Sequence, residues 1–168
     1  MQASMYTLSA PIFTRMLTNL DAILDKAIAH AAQRKIDPAV LMASRLSPDM
    51  LPMSRQVQVA CDFAKGGVAR LCGEEPPKWD DTETSMADLK ARIARTIEFV
   101  GTFAPARFEG GDTRIVQLQM RGETVQLTGL EYLTRMLLPN FFFHVTTAYD
   151  LLRKDGVEIG KRDFVGPA

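Results

Sequence analysis

Apolar positions along the chain follow a period near 3.6 residues, change to two in one short stretch, and then return. Phe13, Met16, Leu17, Leu20, Leu24, Ala27, Ile28 and Ala31 recur every three or four positions, which gathers them on one side of a helix. Ser9 and Pro11 open that helix, and it runs to about Gln33. Asp37-Pro38 reads as a cap and first-turn proline for a short helical turn through Met42. A second long helix is predicted from Asp49 as N-cap, which puts Pro52 in the first turn, where its missing N–H costs nothing. Its buried face is Met50, Met53, Val57, Ala60, Cys61, Ala64, Val68 and Leu71; Gln56 lies at the margin, and Gln58, Asp62 and Lys65 point outward. Gly66-Gly67 weakens a helix by about 1 kcal/mol per glycine, and the usual reason to tolerate it is close approach of another helix.

Ser85 and Asp88 have capping-box spacing for a third helix, with a stripe of Met86, Leu89, Ile93, Ile97 and Val100 ending near Gly101. Between Arg107 and Leu127 the period becomes two. Ile115, Gln117 and Gln119 alternate with Val116, Leu118 and Met120, and Val125 and Leu127 repeat the pattern after Arg121-Gly122-Glu123, which predicts a hairpin. Two strands are barely stable alone, so the hairpin must lean on the helices or on another subunit. Thr128 and Glu131 then cap a fourth long helix with Leu130, Leu133, Leu137, Phe141, Val145, Ala148 and Leu152 on its stripe and His144 in the middle of it. Pro139 is expected to bend this helix just before Phe141, and Gly156 to end it. Val157, Ile159 and Phe164 suit a tail folded back on the helices. The pattern predicts an all-α fold, a four-helix bundle with a small β-hairpin between helices three and four.

With 168 residues, 46% of them apolar, the chain can bury one core, and a single domain over 1–168 is expected. Twenty basic and twenty acidic residues cancel, so no global field favours nucleic acid or an anionic membrane. No apolar run reaches the roughly 18 residues of a membrane span, and the N-terminus lacks a signal-peptide pattern. Cytoplasm is the expected compartment. Cys61 and Cys72 lie on one predicted helix, roughly 16 Å apart, too far for a disulfide. Both read as small apolar residues.

Candidate chemistry concentrates at His144. In an apolar stripe, an imidazole is either held by a protein hydrogen bond or faces a pocket between the second and fourth long helices. In the second case Gln56 or Gln58, Asn140 and Tyr149 are its polar neighbours, and the partner is a small molecule. His30 sits at the edge of its own stripe, as a boundary histidine. Trp79 lies in the polar loop from Gly73 to Thr84, either as a lid on the core or as a stacking platform for a ligand. Phe143 points away from Leu137 and His144, so a second apolar face needs covering. A homodimer interface of roughly 800 Å² per partner would do so.

Three stretches, KIDPAVLMASRLSPDMLPMSRQVQVACDFAKG, LTGLEYLTRMLLPNFFFHVTTAYDLLR and GVEIGKRDFVG, resemble an uncharacterised domain-of-unknown-function branch of the DinB-like superfamily. The resemblance implies a DinB-like up-and-down four-helix bundle, usually bacterial and often dimeric. Better-understood members are metal-dependent thiol transferases and related enzymes, with one histidine on the second helix and an H-x-x-x-H pair on the fourth. Here His144 matches the first of that pair, Ala148 stands at the second, and the second helix offers Gln56 or Gln58 instead of histidine. Catalytic divalent sites typically use three protein ligands, so neither cofactor nor metal is expected. The alternatives are a thiol transferase or hydrolase using zinc or nickel, with His144 as its one candidate ligand, and a non-enzymatic dimeric interaction module.

Overall fold

A computed structural model of the chain describes residues 4–120 and 122–167. The chain is mostly helical. In order come α1 (Ala10–Arg34), α2 (Pro38–Ala43), α3 (Met53–Leu71), α4 (Met86–Gly101), a 3-10 turn (Pro105–Phe108), β1 (Ile115–Met120) and β2 (Glu123–Thr128). There follow α5 (Gly129–Glu131), a π-helical stretch (Tyr132–Leu137), α6 (Leu138–Lys154) and α7 (Lys161–Val165). Helix α1 packs on α4, and α3 packs on both α4 and α6. Their apolar stripes meet in a core holding Phe13, Leu17, Leu24, Val57, Leu89 and Phe141. Among the described residues no helix is long and apolar enough to cross a membrane.

Local signals account for most boundaries. Ser85 and Asp88 form the capping box of α4, and Thr128 and Glu131 form that of α5. Gly156 takes the left-handed conformation, φ 91°, just past α6. The hairpin is antiparallel, with Val116 opposite Leu127 and Leu118 opposite Val125. Arg121, expected in its turn, lies outside the described residues. The tail does fold back: Val157 and Ile159 are buried, and Asn19 of α1 donates to Phe164 O at 2.9 Å. A Cβ added at Gly67 would stand 2.5 Å from Leu137 Cδ2, so this glycine admits the close crossing of α3 and the π-helical stretch.

Four expectations need correction. Helix α3 starts at Met53 with Pro52 as its cap residue, not at Asp49, whose carboxylate instead accepts from Ser47 Oγ at 2.5 Å in the preceding turn. Gln58 and Lys65 are buried, at 3% and 5% exposure, because the loop after α3 folds over the side expected to face water. Leu130 is exposed, and His144 is half-buried at the edge of its stripe. The last two share a cause. Leu133, Leu137, Phe141 and Val145 are all spaced by four, and in an ideal α-helix each such step drifts about 40°. The wider π turn absorbs that drift, with Leu138 N–H bonded to Leu133 O, and also accommodates Pro139 one residue later. Leu130, on the far side of the widened turn, is carried off the stripe.

Candidate functional site

Helix α3 presents two glutamines to two different polar clusters. Gln56, 1% exposed, faces α6. Its Nε2 donates to Leu51 O at 3.0 Å, and its Oε1 lies 2.7 Å from His144 Nδ1. The ring of His144 stacks on Phe63 with centroids 5.7 Å apart and planes 18° apart. Phe143 meets it edge-on at 5.2 Å. Burial lowers the His144 pKa below the ordinary imidazole value, because the charged form loses solvation. Among the described residues Arg92 Nε is the one buried side-chain polar atom without a partner. His144 Nε2, which has no protein hydrogen bond there, therefore meets solvent.

Gln58, two residues on, turns to the other cluster, whose hub is Arg92 of α4. The Arg92 side chain is 2% exposed and pairs with Asp62 at 2.9 Å, Asp81 at 3.0 Å and Glu83 at 2.9 Å. It also donates to Asp80 O at 3.1 Å. Gln58 Nε2 donates to Glu83 Oε2 at 2.6 Å, its Oε1 accepts from Arg55 at 2.9 Å, and Arg55 pairs with Asp81. Lys65 pairs with Asp62 at 2.9 Å and lies over the ring of Trp79, 4.4 Å from its centroid, with the Arg95 guanidinium at 4.0 Å. Burial works to raise Glu83 and Asp81, but the arginines, with Gln58 at Glu83, outweigh it and hold both below the usual carboxylate range. Beside this cluster a cleft of about 400 Å³ is lined by Trp79, Glu83, Asp88, Arg92 and Arg95.

The expected site residues therefore do not form one pocket. Gln56 and His144 meet directly. Asn140, one turn before His144, ties its amide to Met136 O at 2.7 Å. Gln58 and Trp79 belong to the Arg92 cluster. Tyr149 packs on Phe164 of α7 with centroids 5.7 Å apart and lines a small cleft with Thr146 and Lys161. His30 lines a separate cleft with Lys26, Gln33, Arg34 and Glu158. Cys61 and Cys72 are free, and burial pushes the Cys61 thiol up to about 12, which makes it a poor nucleophile at neutral pH. Sequence reasoning missed Arg92. Its signal was a charge set three residues after Leu89 and four before Thr96, on the buried side of α4, with Asp80, Asp81 and Glu83 upstream to answer it.

Among the described residues no group of three or more His, Cys, Asp and Glu side chains converges to hold a metal ion. What α3 and α6 bring together is one imidazole, oriented by one amide, between two aromatic rings. That arrangement can accept or donate a single hydrogen bond to a ligand.

A family model described as "Domain of unknown function (DUF1993)" matches residues 5–165. Among solved structures, a DinB family member protein from Shewanella denitrificans superimposes with a TM-score of 0.92 at 45% identity, covering 97% of this chain and 92% of that one. A search of curated proteins found no relative. The agreement in sequence and in overall superposition has one explanation: the chain belongs to the DUF1993 family, a branch of the DinB-like proteins.

Proposed function

We propose that this chain is a metal-free DinB-like protein, an up-and-down bundle of four long helices, which binds a small molecule beside His144. The observation that supports the reading is the 2.7 Å hydrogen bond between Gln56 of α3 and His144 of α6. The thiol transferases that the chain resembles take their metal ligands from the corresponding two helices. Here an amide answers the imidazole directly, and Ala148, at 0% exposure, offers no donor atom. A polar nitrogen flanked by Phe63 and Phe143 is the mixture of apolar wall and sparse polar group that small-molecule sites use. Balanced charge fits a soluble protein of the bacterial cytoplasm within this reading.

The test is metal retention. The purified protein is incubated with zinc or nickel, desalted, and assayed by elemental analysis beside a His144→Ala variant. Retention well below one equivalent in both is expected. About one equivalent in the parent, lost in the variant, would overturn the reading in favour of a metal-dependent thiol transferase or hydrolase.

One observation favours a second reading, a homodimeric interaction module. Phe143 is 53% exposed, and an aromatic ring presented to solvent is the kind of side chain that the core of a subunit interface buries. Light scattering decides it: a dimer mass that falls to a monomer in Phe143→Ser supports the module, and a monomeric parent protein removes it.

A further inference from the structure

The hydrogen bonds around Gln56 fix more than the position of His144. A backbone carbonyl only accepts, so the Gln56 atom facing Leu51 O at 3.0 Å is its amide nitrogen. The Gln56 atom left facing His144 is then the carbonyl oxygen, which also only accepts. Reversing the amide would set two oxygens against each other at Leu51. His144 Nδ1 therefore carries the hydrogen and donates it at 2.7 Å. In the neutral ring the other nitrogen is then bare. Nε2 is a lone-pair acceptor, it meets solvent, and it stands between the stacked face of Phe63 and the edge of Phe143.

Resting on the small-molecule reading above, we infer that this site selects hydrogen-bond donors: a hydroxyl or N–H group carried on an aromatic or alicyclic body. An anion is the wrong ligand. A carboxylate or phosphate would bring oxygen lone pairs against the lone pair of Nε2, and binding it would require protonating a half-buried ring. Gln56 is the positioning residue. It touches no ligand, yet it sets which nitrogen is offered.

The experiment uses the full chain labelled with ¹⁵N in histidine and a matched pair of probes, phenol as neutral donor and benzoate as anion. Long-range proton–nitrogen correlation at neutral pH first reads the tautomer. The expected spectrum shows His144 Nδ1 protonated and Nε2 bare. Phenol should then move the Nε2 signal saturably, with benzoate weaker by roughly tenfold or more, the worth of about one hydrogen bond. The Gln56→Met variant, similar in volume, should lose the fixed tautomer and with it the preference for phenol, and its melting curve reports whether it still folds. The opposite tautomer in the parent protein, or benzoate binding as tightly as phenol, overturns the inference and leaves the small-molecule reading standing. The expected tautomer with neither probe moving Nε2 overturns both.

Discussion

Gln56 and Gln58 stand two residues apart on α3, and both are almost wholly buried, yet they serve clusters of opposite character. The Gln58 side is ionic and, apart from Arg92 Nε, satisfied. Asp81, Glu83 and Trp79 of one loop are tied to Arg55, Lys65, Arg92 and Arg95 of two helices. The Gln56 side is neutral and leaves an acceptor over. Burial of polar groups thus marks no function by itself. A network that consumes its donors and acceptors straps a loop to the helices, and a cluster with one atom unused at the surface is where a ligand can enter.

Substitutions can break that comparison, starting with the strap. Arg92→Leu leaves Asp62, Asp81 and Glu83 without their shared cation, and its expected cost is about 3 kcal/mol by chemical denaturation, with the His144 resonances unmoved. Disturbed His144 signals would show that the two clusters are coupled. Gln56→Leu leaves Nδ1–H and Leu51 O without their partner, and about 1–2 kcal/mol is expected. Here His144 must shift and the signal of Trp79 must not. Lys65→Ala gives up the Asp62 pair and the contact with Trp79, for about 1 kcal/mol, and tryptophan fluorescence should report the loosened ring.

Acid separates the two sides by range. The His144 pKa is lowered in the fold, so its contribution is complete above the ordinary imidazole value and is lost as pH falls from there through the lowered one. Glu83 and Asp81 are lowered as well; their contribution is complete above the ordinary carboxylate range and is lost only below about pH 4. Stability measured against pH should fall in two steps, a small one that disappears in His144→Gln and a deeper acidic one that shrinks in Arg92→Leu, the remainder belonging to Asp88, Glu131 and Asp163, whose pKa values other partners lower. A single acidic step would mean that His144 is as solvated as an ordinary histidine.

The helices and the hairpin were legible because their signals are local. Caps at Ser85 and Thr128, the period of two at Ile115 to Met120, and the stop at Gly156 all act within a few residues. The site was legible in part. His144 and Gln56 could be picked out, and Gln58 could not be excluded, because the choice depends on how α3 rotates against α6. Gln58, Lys65 and Arg92 were misread or missed because their burial comes from a loop that closes over α3 and α4, and helical phase alone carries no record of that cover. The error at Leu130 is of another kind. A constant step of 100° per residue was carried through Tyr132–Leu137, where the backbone does not keep it.

That π-helical stretch makes the chain unusually tolerant of a change in length at one place. Losing a single residue between Tyr132 and Leu137 would let the segment relax to an ordinary α-helix, because a π turn is an α turn with one residue added. The wider turn spreads about the same rotation over that extra residue, so everything after it would keep its phase about the helix axis. The same loss between Pro139 and Phe143 has no wide turn to absorb it, and would swing His144 by about 100° away from Gln56. A homologue one residue shorter before Leu138 could thus keep the site, and one shorter after Pro139 would lack it.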